Sequence, residues 1–324
     1  MPKAVTVRAF GPPESFALEE FDPGPPGPGE VRVAVKVAGV SFVDVLSTSG
    51  NYQHVPKLPH IPGSEGAGVV AATGEGVDGL NVGDPVFFSG GGVFCEANNF
   101  AAAKVGRIPD GLSMETAAVM TANYQTAVYA LEYRAKAQPG ETMLVLGAAG
   151  GTGIAAIQIG KNLGLHIIAS ASSEEKRRAV LAAGADVAIE TGAADWRDQI
   201  KAANHGKPVD IVFDPVGGDL SELAFRNLGY DGRLLVIGFT AGIPAIPSNL
   251  ALLKSASIVG VHLGDTMMRW PEKAAAIRAR VIELAGQGVI APAIAERYPL
   301  RDFVAAMNSA KSGKAAGRIL LTMD

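Results

Sequence analysis

The feature that most constrains this chain is a regular alternation that begins after Pro139-Gly140 and continues to about residue 263. Short apolar runs read as strands at Thr142–Gly147, His166–Ala171, Val187–Glu190, Val209–Pro215, Arg233–Gly238 and Ile258–Leu263. Helical stretches lie between them at Gly151–Leu163, Ser173–Ala183, Asp195–Ala203, Leu220–Asn227 and Asn249–Ser255. A strand that returns through a helix to another strand closes as a right-handed crossover between parallel neighbours. Six such strands predict a doubly wound, six-stranded parallel sheet of the α/β class.

The flanks have a different texture. Glu30–Val40 alternates apolar and polar residues like a half-buried strand, and the runs 66–72 and 85–88 are further short strands bounded by glycine. Ser41–Ser49 reads as a helix opened by a capping residue and ended by Gly50. A longer helical pattern starts at Ser113, restarts near Thr126 and runs to about Tyr133. Beyond Trp270-Pro271 come a long helix, a short strand, another helix and a strand at Arg318–Thr322. The expected organisation is a nucleotide domain over 125–264, inserted into a discontinuous domain made of 1–124 and 265–324.

Composition narrows the function. Apolar residues make up 48% of the 324, ample for two cores, and the net charge of −4 comes with no dense Lys/Arg block, so a nucleic-acid or membrane-surface partner has no electrostatic footprint. The start of the chain alternates like a strand and lacks the apolar stretch of a signal peptide, and no run reaches transmembrane length. The one cysteine, Cys95, has no partner for an internal disulfide. The expected setting is cytoplasmic.

Between the first strand and first helix of the alternating region stands Gly147-Ala148-Ala149-Gly150-Gly151-Thr152-Gly153. Small residues here let backbone approach a pyrophosphate, and the helix N-terminus offers unpaired N–H groups and the positive end of a dipole. Gly150, Gly151, Thr152 and Gly153 are therefore assigned to dinucleotide binding; a tight turn for helix–sheet packing is the plainer role, which Gly153 serves in either case. The end of the second strand reads Ala171-Ser172-Ser173-Glu174-Glu175-Lys176-Arg177-Arg178, with no carboxylate where an NAD site holds the ribose 2′-hydroxyl. Hydroxyl donors followed by cations suit a 2′-phosphate, since each charge-assisted bond contributes about 1.5–3 kcal/mol. This predicts NADPH, with Ser172, Ser173 and Lys176 around the phosphate, one of the two serines also capping the helix.

Taken together, Gly39-Val40-Ser41-Phe42-Val43-Asp44, Gly50-Asn51-Tyr52, Pro62-Gly63-Ser64-Glu65-Gly66-Ala67-Gly68, Val82-Gly83-Asp84-Pro85-Val86, Tyr124-Gln125-Thr126-Ala127 and Phe213-Asp214-Pro215-Val216-Gly217-Gly218 resemble the zinc-free quinone oxidoreductase branch of the medium-chain dehydrogenase/reductase superfamily over essentially the whole chain. The resemblance implies a GroES-like first domain, a Rossmann domain, a cleft between them, and homodimers joined through the last Rossmann strand, here about Ile258–Leu263. It puts Ser41, Asp44 and Tyr52 near the nicotinamide as candidate catalytic residues. Thr126 lies beneath the ring, and Phe239, Leu263 and Gly264 lie along it. Thr191 stands where relatives often carry a tyrosine near the adenosine phosphate, and Arg318 is the candidate to compensate.

Zinc dehydrogenases of the superfamily place a cysteine and a histidine where this chain has Ser41 and Ser64, and their structural lobe needs four cysteines. Zinc sites are built from thiolate and imidazole, so no metal site of that type is expected. Relatives usually carry asparagine at position 41, and serine reaches less far. Without a Lewis acid the acceptor must already be electrophilic. The expected reaction is hydride transfer from NADPH to a quinone or similar conjugated carbonyl. Reduction of an activated alkene (enone, acrylate or enoyl thioester) is the alternative, and an NADPH-binding structural or regulatory role is the alternative of another kind. Tyr52 would orient the carbonyl, donate a proton, or simply wall the pocket; Asp44 would bond backbone or Tyr52.

Overall fold

The computed structural model describes residues 1–323. The chain divides into two compact units, Met1–Ala122 with the segment from Ile294 onward, and Asn123–Ala293.

In the second unit the six strands lie in the order Val187–Glu190, His166–Ala171, Thr142–Val145, Val209–Asp214, Leu228–Val236, Ser257–Gly260, every neighbouring pair parallel. Numbered along the chain this is 3-2-1-4-5-6, the doubly wound order that the alternation predicts. Thr142–Val145 is buried along its whole length because helices cover both faces of the sheet. The helix Gly151–Asn162 buries every residue from Gly153 to Gly160 against it. Gly153 is required by contact: a Cβ there would sit 2.5 Å from the carbonyl oxygen of Ala148 and 2.6 Å from its Cα, both backbone atoms that cannot yield.

Some boundaries differ from the sequence reading. The sixth strand ends at Gly260, not Leu263, because its neighbour ends at the paired Val236; Leu263 instead opens a helix, Leu263–Arg269. The fifth strand begins at Leu228 and ends before Gly238. The helix expected to restart near Thr126 starts at Ala122, runs to Val128, and widens into a π-helical stretch, Tyr129–Ala135, ended by left-handed Lys136. The chain returns to the first unit at Ile294, well beyond the expected residue 265. The helix Pro271–Gly286 buries Ile277, Val281 and Leu284, Arg280 donates to Glu132, and Ala291 exchanges hydrogen bonds with Gln158, so this stretch belongs to the second unit.

In the first unit the long strand Glu30–Val40 organises a seven-stranded sheet. One side pairs with Glu65–Thr73; on the other, Ala97–Ala101 covers residues 30–34 and Arg318–Thr322 covers 37–40. Ile294–Pro299, Pro85–Ser89 and Val105–Arg107 complete it, and Lys3–Thr6 pairs with Ala17–Glu20 in a small separate sheet. The core gathers the inward residues Val31, Val33 and Val35 with Phe88, Phe94, Met307 and Leu321. This is the GroES-like architecture. Among the described residues no helix is long and apolar enough to cross a membrane.

Candidate functional site

Parallel α/β sheets bind ligands beyond the carboxyl ends of their strands, where the strand order reverses. Here the reversal falls between Thr142–Val145 and Val209–Asp214, and the glycine-rich turn leaves the first of these. Gly150 is the N-cap of the helix and brings no side chain to its first turn. The opening N–H groups, those of Gly151, Thr152 and Gly153, therefore lack intrahelical partners and are available to an anion. The Thr152 hydroxyl donates to Asn123 Oδ1 at 2.9 Å. Asn123 was not picked out from sequence, because nothing in its own neighbourhood marks a contact with a residue so far along the chain. Small residues, an uncapped helix start and a switch-point position fit a dinucleotide pyrophosphate.

The next strand along the same edge, His166–Ala171, carries Ser172 and Ser173 at its end. Ser173 is the cap: its hydroxyl oxygen accepts from the Lys176 N–H at 3.3 Å. Ser172 lies exposed beside it, and Lys176 is half-buried in the first turn. Arg177 and Arg178 turn to Glu174, and Arg177 also approaches Glu190 at 3.9 Å. Behind them Thr191 bonds Ser170 Oγ at 2.7 Å, and the buried indole of Trp196 donates to the same oxygen at 3.1 Å. Further along the edge, Phe239 is exposed in the loop after the fifth strand, and Leu263 and Gly264 form the first turn of their helix. Thr126 is half-buried on Ala122–Val128.

Arg318 does not belong to this set. It lies in the first unit, 6% exposed, with Nη2 donating to Glu65 Oε1 at 2.5 Å. Glu65, 1% exposed, also accepts from the Thr121 hydroxyl at 2.6 Å and the Ala122 N–H at 2.8 Å. Gly39 makes room for the pair, since a Cβ there would stand 2.8 Å from the guanidinium. A guanidinium enclosed in this way has no access to an adenosine phosphate.

Of the remaining candidates of the first unit, Ser41 and Asp44 are bonded to each other. Ser41 caps the helix Phe42–Thr48, its N–H donating to Asp44 Oδ2 at 2.8 Å and its hydroxyl to the same oxygen at 2.6 Å. Asp44 is 4% exposed. Burial pushes its carboxyl from the ordinary 3.8 up to about 6, against the pull of the Ser41 bonds and the Arg318 charge, while Glu65 adds to the rise. Burial also raises the Tyr52 phenol above its usual 10, reinforced by the field of Asp44, so Tyr52 remains a neutral donor at physiological pH. The buried Cys95 thiol donates to the Gly92 carbonyl and is pushed up to about 12, which rules it out as a thiolate nucleophile.

Comparison with known proteins bears on this arrangement. Residues 27–130 match the alcohol dehydrogenase GroES-like domain, and residues 151–279 match the zinc-binding dehydrogenase domain. Quinone oxidoreductase-like protein 2 of Bos taurus is 36% identical over 95% of this chain and 89% of its own length. A probable oxidoreductase from Mycobacterium abscessus superposes with a TM-score of 0.90 at 33% identity, covering 99% of this chain and 98% of that one. Quinone oxidoreductase of Escherichia coli, solved in complex with NADPH, superposes with a TM-score of 0.88 at 29% identity, with 99% of each chain covered. The fold and these matches define an oxidoreductase with a GroES-like and a Rossmann domain. The chain belongs to the quinone oxidoreductase branch of the medium-chain dehydrogenase/reductase superfamily.

Proposed function

We propose that the protein is an NADPH-dependent reductase that passes hydride to a quinone or a similar conjugated carbonyl without a metal. The observation that carries this reading is the hydroxyl of Ser41, bonded to the buried carboxyl of Asp44 at the position where zinc dehydrogenases place a thiolate. Ser64 stands at the imidazole position. Two hydroxyls are a poor donor set for zinc, so the acceptor must be electrophilic by itself. NADPH supplies the hydride when bound. The turn Gly150–Gly153 would hold its pyrophosphate on backbone N–H groups. Ser172 and Lys176, with no carboxylate at the end of His166–Ala171, would suit its 2′-phosphate. Thr126, Phe239, Leu263 and Gly264 would border the nicotinamide half, and Ser41, Asp44 and Tyr52 would serve the acceptor.

A second copy of the chain belongs to the same reading. Ser257–Gly260 ends the six-stranded sheet, Ile258 is 50% exposed, and Phe239, Ile243 and Ile246 line a shallow apolar groove beside it. Edge strands with apolar surroundings are templates for pairing, and pairing here would continue the sheet across a twofold axis.

The test is oxidation of NADPH and NADH against quinones, enones and enoyl-CoA thioesters, with and without chelator. NADPH should be favoured at least about tenfold, as one charge-assisted phosphate contact predicts. Quinones should be reduced fastest, and chelator should change nothing. Preference for enoyl thioesters would make the protein an activated-alkene reductase; tight NADPH binding with no acceptor reduced would make it a binding protein.

A further inference from the structure

Resting on that reductase reading, we propose that Asp44 is the proton reservoir of the reaction and that Ser41 relays its proton to the reduced acceptor. Hydride addition leaves an enolate or a hydroquinone anion. The Ser41 O–H bond breaks as its proton moves to that oxygen. The Asp44 carboxyl proton moves to Ser41 Oγ and restores the hydroxyl. Asp44 is left as a carboxylate, to be reprotonated from solvent. The nicotinamide is oxidised by two electrons and the acceptor reduced by two, so no further reagent is needed.

The geometry is more specific than helix capping. A capping box needs the serine oxygen to accept from the backbone N–H of Asp44 and the carboxylate to accept from the serine N–H. Here the first bond is long, 3.4 Å, while Ser41 Oγ and the carboxyl oxygen lie 2.6 Å apart, a separation across which either oxygen can be the donor. A capping carboxylate does its electrostatic work ionised, yet this one is enclosed in protein. Among the described residues, the charges that act on it are those of Glu65 and Arg318. Glu65, on its own strand, accepts from three donors, one of them the guanidinium of Arg318 from the last strand, with which it pairs. Arg318 is thereby neutralised, and Tyr52, from the loop after the helix, is an uncharged phenol. Two carboxyls share one buried cation, so the carboxyl without the guanidinium contact holds its proton to a higher pH than an ordinary aspartate does. The raised titration of Asp44 agrees with this. When Asp44 is protonated it donates to Ser41 Oγ, which frees the serine hydrogen to point at a ligand; when it is ionised, that hydrogen is held inward.

The experiment combines a titration without turnover and a pH profile with it. In protein labelled with carbon-13 at aspartate carboxyls, one resonance should titrate near pH 6 and disappear in Asp44→Asn. For the wild type, kcat should fall about tenfold per pH step above that value. Asp44→Asn and Ser41→Ala should each lose about 10- to 100-fold in kcat and show a flat profile, whereas Ser41→Thr, which keeps the hydroxyl, should retain the wild-type shape. Cofactor affinity by calorimetry should be unchanged in all three. The relay is overturned if no aspartate titrates above the ordinary range, or if the descending limb persists in Asp44→Asn. Wild-type protein that reduces no acceptor would instead remove the functional reading, and the relay with it, while the labelled spectrum still reports the state of Asp44.

Discussion

Asp44 titrates inside the first unit, and its preference for the proton makes folding depend on pH. Its folded-state value lies above the ordinary 3.8, at about 6. The folded chain therefore binds this proton more tightly than the unfolded chain, and the associated stability is complete below pH 4 and lost as pH rises through 6. The interval corresponds to roughly 3 kcal/mol. Asp44→Asn keeps a capping side chain but does not titrate. Urea unfolding at pH 4 and pH 7 should show the variant gaining on the wild type by that order, and a gap that does not change with pH would refute buried protonation. The contact beneath this behaviour was hidden in the sequence. Ser41, Asp44 and Tyr52 sit close together along the chain and stood out by resemblance, but Glu65 and Arg318 are 253 residues apart. No local pattern announces such a pairing, and Arg318 was accordingly placed with the cofactor.

At the scale of elements, the helix Gly151–Asn162 depends on its close approach to the strand before it. Gly153→Ala would drive a methyl into the Ala148 backbone, and overpacking of this kind costs about 1–3 kcal/mol. The urea midpoint should fall, and NADPH should bind more weakly because the helix start carries the N–H groups. An unchanged midpoint would mean that the helix relaxes freely and that Gly153 is dispensable to packing. The strands and helices of this unit were legible because each buried strand is a short apolar run and each crossover helix has its own period. The end of the sixth strand was not. It is decided by where the neighbouring strand stops, at Val236, and a residue's own preference carries no record of that. The π-helical stretch Tyr129–Ala135 is likewise set by tertiary packing.

At the scale of the whole molecule, the proposed pairing of two copies through Ser257–Gly260 makes a simple prediction. Ile258→Asp places a charge on the exposed edge, one of the devices by which sheets resist association. Analytical ultracentrifugation should find the wild type as a dimer and the variant as a monomer with NADPH affinity retained. A monomeric wild type would dispose of the partner. The two-unit organisation and the discontinuity of the first unit were visible as a change of texture in the chain. The point of return was misread by one long helix, because an amphipathic helix is compatible with either unit until Arg280 meets Glu132 and Ala291 meets Gln158.

The strand Arg318–Thr322 completes a sheet whose other members were laid down far earlier, and this gives the protein a timetable during synthesis. The nucleotide-binding unit, contiguous in sequence, can finish folding while the ribosome is still translating. The first unit cannot: residues 37–40 wait for their neighbour, and Glu65 waits for the cation that pairs with it. Until then a nascent chain holds an unsatisfied strand edge next to an unpaired acid, the kind of surface that holding chaperones shield. Ribosome stalling before Arg318 is made would leave one domain native and the other open.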